Sequence, residues 1–316
     1  MALSQGAKGL GWGAQMTLMQ VNAGQGFPAQ VLDSAAALAA GAPLIVMLHG
    51  YRYSPSQSRH DPHRHILALD PAGDPRHVQS WPRGLGFADP DADPAQGLAI
   101  AFGWEARGTL TSVYRRAGRA GADLAGLIAA LSRAAERPVA VIAHSMGARV
   151  ALSALHHLPA GAMGRAVLLA GAEFRCAAGD AIVTPAGAAA EIVNIMSRQN
   201  DAFDLGLELM LSGLRRQALG RGLAQAAPNW IDIQIDDEAT LRGLETLGFA
   251  VQPVDWRPSH WSPYLRDGVF DFYRAALRTP RALPLSLLRS RLLTEGTPRR
   301  SFAVSLRAHG QAGMRA

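Results

Sequence analysis

The chain has 316 residues, 48% apolar and 6% aromatic, and carries a formal charge of +6 that is almost wholly arginine, since Lys8 is its one lysine. That apolar content is ample for a buried core, and a single cysteine, Cys176, excludes an intrachain disulfide and fits a reducing cytoplasm. No run is long enough to cross a bilayer, residues 1–10 lack the apolar stretch of a secretory leader, and the arginine clusters (Arg215, Arg216 and Arg221; Arg289, Arg291, Arg299 and Arg300) have no interleaved aromatics, so we expect a cytoplasmic protein with a solvated basic surface and no nucleic-acid partner.

In chain order, Met16 to Val21 and Gln30 to Leu32 read as early antiparallel strands, and Leu44 to Leu48 as a fully buried one. A polar loop runs from Tyr51 to about Arg64, and Ile66 to Leu69 reads as another strand. A Pro/Asp/Gly-rich stretch covers Asp70 to Pro94, with Trp81 and Phe87 placed to cover a pocket mouth. Leu98 to Phe102 is a strand, and Thr111 to Ala134 is a helix with Leu124, Leu127, Ile128 and Leu131 on one face. The strand Pro138 to Ile142, a helix from Val150 to Leu155, and strands at Val167 to Ala170 and Glu191 to Ser197 follow. This β-α alternation predicts an α/β fold, a mostly parallel sheet with helices on both faces.

Further on, Leu207, Met210, Leu211, Leu214 and Ala218 recur at helical spacing, Ile231, Ile233 and Ile235 alternate as in a half-exposed strand, and Leu241 to Leu247 is a helix ended by Gly248. We read residues 203–250 as an excursion, either a cap over a pocket or extra packing at the sheet edge. A helix spans Phe270 to Leu277. The main domain then covers residues 13–278, and 279–316 is an Arg/Pro-containing tail with a short helix near Leu285 to Leu293.

The chemistry concentrates at Ala143-His144-Ser145-Met146-Gly147, between a β-branched run and an apolar helix. A serine on a sharp strand-to-helix turn stands exposed at the top of a sheet, where a base can reach it, and the turn needs small residues on either side. Ala143 and Gly147 are small. Two backbone N–H groups must face the developing oxyanion: Met146, after the serine, and Tyr51, in the turn His49-Gly50-Tyr51 at the end of the buried strand. His260, in the late loop Ser259 to Tyr264, is the expected base. Asp201, the first carboxylate past the strand Glu191 to Ser197, is the expected acid, with Asp204 and Glu173 as rivals. Asp201 could instead cap a helix beginning near Phe203. His49, Trp104, His144 and Trp261 are candidate pocket residues.

These stretches, with Gly103 to Gly108 and Ser197 to Asp201, resemble the α/β-hydrolase superfamily over about residues 40–278, closest to a bacterial esterase-like branch of largely unassigned substrate. Ala143 departs from the usual Gly but keeps the small-residue rule. The resemblance implies Ser145 as nucleophile, Asp201 as acid and His260 as base, acting on a small-molecule acyl substrate without metal or organic cofactor. Acyl transfer with the same triad, or a catalytically silent binding module, are the alternatives. His60, His63 and His65 match no compact zinc spacing, so no metal site is expected. Cys176, although it follows Arg175, reads as a packed small hydrophobe.

Overall fold

The computed structural model describes residues 17–73, 78–87, 95–254 and 257–292. Residues 1–16, including Met16 of the expected first strand, and residues 293–316, with Arg299, Arg300 and His309, lie outside them. Among the described residues, seven strands form one all-parallel sheet in the order β1-β3-β2-β4-β5-β6-β7. They are β1 (Leu18–Asn22), β2 (Leu44–Leu48), β3 (Leu98–Gly103), β4 (Val139–His144), β5 (Met163–Leu169), β6 (Glu191–Met196) and β7 (Trp230–Gln234). The helices are α1 (Ala29–Ala36), α2 (Trp81–Gly84), α3 (Leu110–Ala134), α4 (Met146–Ala154), α5 (Arg175–Ile182), α6 (Pro185–Ala189), α7 (Asp201–Ser212), α8 (Glu238–Thr246), α9 (Ser262–Leu265), α10 (Val269–Arg278) and α11 (Leu285–Leu292).

A parallel sheet needs crossover connections, and helical crossovers cover both of its faces, which is why its central strands are apolar on both sides. All five residues of β2 are buried. Leu44, Val46 and Leu48 face a core shared with α1, α3 and α4, while Ile45 and Met47 face a second core with α10 and α11. The α3 helix begins where the Thr109 hydroxyl accepts the Ser112 N–H, and buries Leu124, Leu127, Ile128 and Leu131. It crosses α4 closely because Gly121 lacks a side chain: a Cβ there would stand 2.6 Å from the Ser153 Cβ.

Several expectations are corrected. Residues Gln30 to Leu32 belong to α1, whose Val31 and Ala35 are buried four residues apart. Three residues do not distinguish the two periods; the chain behind Pro28 takes the helical one. The strand at Leu18–Asn22 pairs with β3 in parallel, not antiparallel. Ile66 and Leu67 are fully buried but lie in turns. Trp81 and Phe87 are also fully buried, so they cover no pocket mouth; Trp81 packs edge-on against Tyr264 at 5.4 Å. Within the excursion, β7 pairs with β6 in the sheet itself, and α8 packs on α11. The tail likewise contributes to the core through Leu285, Leu288 and Leu292 of α11.

Candidate active site

Ser145 stands between the end of β4 and the start of α4 with φ 54° and ψ −123°. A non-glycine residue rarely takes positive φ, and such strain of order 1–3 kcal/mol persists only where the surroundings over-determine it. Three backbone bonds do so. The Ser145 N–H donates to Leu169 O at 3.0 Å, and its carbonyl accepts the N–H groups of Ala148 and Ala172 at 3.0 and 2.9 Å. The small-residue rule has visible causes. A Cβ on Gly147 would meet His49 O at 2.7 Å and Leu48 O at 2.8 Å, and a Cβ on Gly50 would meet the Ser145 Cβ at 2.7 Å.

Gly50 thus brings the loop after β2 against the serine. His49 and Trp104 hold that loop. The Trp104 N–H donates to His49 Nε2 at 3.0 Å, the Trp104 indole donates to the His49 carbonyl at 3.1 Å, and the rings stack at 5.5 Å. Because Nε2 accepts, the ring proton sits on Nδ1, which donates to Gly50 O at 2.9 Å. Burial pushes the His49 pKa down to about 3. Both residues are sequestered in this lock, so they shape the loop and do not line an open pocket. Tyr51 and Ser54 extend the zipper to the chain after β3, through Gly108 O at 2.5 Å and the Glu105 carboxylate at 2.5 Å. Met146 is the first residue of α4, where helical N–H groups have no partner within the helix.

His260 lies beside the serine turn. His144, next to Ser145 in the chain, donates its Nε2–H to the His260 carbonyl at 2.9 Å, and their rings lie 4.6 Å apart. His144 is therefore an anchor for the His260 loop; burial holds its pKa down to about 4, against the raising effect of that hydrogen bond. The loop is also tied to the turn after β6: the Ser259 N–H donates to Gln199 O at 3.0 Å, and the Gln199 amide donates to Arg257 O at 2.8 Å. Phe203 stacks on the other side of the His260 ring at 4.8 Å, with Trp261 6.3 Å from each. Burial, followed by the neighbouring His144, lowers the His260 pKa well below the ordinary imidazole value.

The third position departs from expectation. Asn200 Oδ1, not Asp201, lies 2.6 Å from His260 Nδ1. The residues Arg198–Asn200 form a tight 3-10 turn, fixed because Asp236 accepts the Ser197 hydroxyl and the Arg198 N–H. That turn presents Asn200 to the imidazole and leaves Asp201 as the first residue of α7, where a carboxylate favours the helix N-terminus. The rivals are elsewhere. Glu173 is buried between Tyr114 and Arg149, the latter at 2.5 Å. Asp204 is 7% exposed, and burial pushes its pKa up to about 8. Sequence reasoning missed Asn200 and Phe203. The signal for Asn200 was its spacing of four from Asp204, which stacks the two on one helix face.

Of the remaining candidates, His63 bonds Asn22 at 2.8 Å and His65 bonds the Tyr53 hydroxyl at 2.5 Å. Cys176 is exposed, not packed, and lies against the Arg216 guanidinium at 3.3 Å.

Residues 39–173 match the model of a family described as an alpha/beta hydrolase of unknown function (DUF900). No curated protein sequence matches the chain. Among solved structures, Bacillus licheniformis lipase BlEst2 is similar. Its propeptide form shares 14% identity at a TM-score of 0.39, over 82% of this chain and 53% of that one. Its mature form shares 14% identity at a TM-score of 0.38, over 78% of this chain and 93% of that one. The chain spans about half the length of the propeptide form. The matched segment holds both the loop after β2 and the serine turn, and the all-parallel sheet that carries them is consistent with an α/β-hydrolase fold.

Proposed function

We propose that the chain is a serine hydrolase that cleaves an ester or related acyl bond of a small molecule through a covalent acyl-enzyme. The observation that carries this reading is the backbone of Ser145, a strained apex between strand and helix whose neighbour His144 anchors the His260 loop. Strain of that kind is retained where a reacting atom must be held in place.

In this reading His260 takes the Ser145 proton as the hydroxyl attacks the carbonyl. The N–H groups of Tyr51 and Met146 receive the oxyanion. The imidazolium then protonates the leaving alcohol, and the neutral ring activates the water that releases the acid. Asn200 takes the orienting role first expected of Asp201. An amide oxygen can only accept, so its contact with Nδ1 keeps the proton there and leaves the Nε2 lone pair for the serine. Because burial holds the His260 pKa low, the base is already neutral well below neutral pH. An acid limb at the ordinary imidazole value, the simplest expectation from sequence, moves to lower pH.

Phe203 and Trp261 are 42% and 50% exposed beside His260, and the outer face of α7 continues with exposed Leu209 and Met210. This apolar border supports an apolar acyl or alcohol group on the substrate. The test is labelling by a fluorophosphonate probe together with turnover of nitrophenyl esters. Wild type should be labelled at Ser145, and Ser145→Ala should lose labelling and about a millionfold in kcat. Turnover that survives in Ser145→Ala refutes the reading.

A further inference from the structure

We propose that the outer face of α7, with Trp261 beside it, is a docking face for an anionic lipid surface. The inference rests on the catalytic reading of Ser145 and His260, and deepens it by naming where the site meets an apolar substrate.

The observation is a helix with its polarity inverted. Successive residues of an α-helix turn by about 100°, so Ala202, Phe203, Gly206, Leu209 and Met210 share an arc of about 120°. None of these side chains is polar, and Phe203, Leu209 and Met210 are 42%, 58% and 67% exposed. The inner arc holds Asp204 and Glu208, both buried, beside Leu207. Glu208 is engaged there: it accepts the Ala218 N–H at 2.8 Å and the Arg221 guanidinium at 2.8 and 3.1 Å. A surface helix in water carries its charges outward. The other helices α3 and α8 obey that rule, showing Arg115, Arg119 and Asp123, and Glu238, Arg242 and Glu245, to solvent.

Single exposed apolar side chains are ordinary, whereas a contiguous patch of them marks a contact surface. Of the large apolar side chains exposed among the described residues, all but Val183 stand here. Leu214, 55% exposed, follows the helix, and the ring of Trp261 lies 6.3 Å from that of Phe203.

Charge and position choose the occupant. Exposed arginines stand at both ends of the apolar face, Arg198 before the helix and Arg215 and Arg216 after it, while Asp201 in the first turn is half-buried. An apolar helical face flanked by arginine, with an indole at its edge, suits an anionic bilayer interface: the face enters the acyl boundary and the guanidinium groups meet phosphates. The face also begins at the site. Phe203 stacks on the His260 ring at 4.8 Å, and Met210 stands about 10 Å further along the helix axis. A second copy of the chain packed here would cover Phe203 and Trp261 and close the approach to His260. A lipid surface instead brings apolar chains to the border of the site.

The test is co-sedimentation of the full chain carrying Ser145→Ala, which needs no turnover, with two kinds of vesicle. One is phosphatidylcholine alone, and the other is phosphatidylcholine and phosphatidylglycerol in equal parts. Binding should be about tenfold tighter to the mixed vesicles and should weaken as salt rises past about 0.2 M. Leu209→Ser with Met210→Ser should weaken binding at least about tenfold. Arg198→Ser with Arg215→Ser should remove the preference for phosphatidylglycerol. All four side chains are exposed, so both variants should melt close to the parent chain. If the parent does not bind mixed vesicles, or if Leu209→Ser with Met210→Ser binds them as the parent does, the proposal is overturned. It is overturned equally if the parent is a dimer by light scattering and that variant a monomer, since a second copy then covers the face. If esters are not turned over by wild type, the esterase reading fails by itself, and vesicle binding still decides the role of α7.

Discussion

Gly147→Ala adds one methyl group at the most crowded point of the serine turn. Its carbon would stand 2.7 Å from His49 O and 2.8 Å from Leu48 O. An ordinary carbon–oxygen contact begins near 3.4 Å, so roughly 0.6–0.7 Å must be recovered. Neither neighbour is a flexible side chain. Both oxygens belong to the backbone at the end of β2, which pairs with β3 on one side and β4 on the other. The movement therefore passes into the loop that begins with Gly50 and Tyr51, which rests on Ser145. Overpacking of this kind costs about 1–3 kcal/mol, and Ala in a helix returns up to about 1 kcal/mol over Gly. The net is about 0–2 kcal/mol, or a fall of a few degrees in melting temperature for a chain of this size. Activity should fall further than stability. A displacement of this scale between nucleophile and oxyanion donors costs on the order of 10–100-fold, and it should appear in kcat and in kcat/KM alike because the contact is made in the transition state.

The assay is ester turnover beside thermal melting, with Ala143→Gly as control. Ala143 is also fully buried at the turn, but its methyl group is already accommodated, so the control loses about 1 kcal/mol of stability with little change in kcat. If Gly147→Ala keeps wild-type kcat, or loses activity only in proportion to its melting temperature, the loop after β2 is not pressed against the serine in the way argued.

Two further outcomes are expected. Acid should destabilise the fold below about pH 6.5: His49 and His144 are held near pKa 3 and 4 by burial, so between those values and the unfolded 6.5 the unfolded chain binds protons that the folded chain refuses. Each contributes about 1.4 kcal/mol per pH unit in that window, Asp204 offsets one such group, and an unfolding midpoint in urea that is flat between about pH 6.5 and 5 contradicts this. Trp261→Ala should lower kcat/KM about 10–100-fold for long-chain nitrophenyl esters and little for the acetate, given the area a half-exposed indole offers an acyl chain; an unchanged chain-length profile removes it from the substrate border.

What the sequence made legible was local. The serine turn is five consecutive residues whose sizes and flanking periods are constrained by one another, and the buried strands β2 and β4 announce themselves as continuous apolar runs. Short apolar stretches were less informative. Gln30 to Leu32 is too brief to display a period, and Ile66 and Leu67 are buried by tertiary packing within turns, which periodicity cannot detect. The two readings of the excursion could not be separated from sequence for a related reason. The edge strand β7 packs its isoleucines on one side, so it alternates, but a sheet-edge strand and a strand in a cap show the same alternation.

The third member of the site was hidden by chemistry and not by distance along the chain. A carboxylate is the usual partner of a catalytic imidazole, so Asp201 drew attention ahead of its neighbour. Yet adjacent residues in a 3-10 or α turn point roughly 100–120° apart, and only one of Asn200 and Asp201 can face His260. The pairing of Ser197 and Arg198 with Asp236 sets the phase of that turn, and it gives the position to Asn200. A neutral amide supplies the right geometry without the charge that would stabilise the imidazolium. The carboxylate the sequence led us to expect beside the histidine, Asp201, stands instead at the start of α7, and the phase of the preceding turn carries it there.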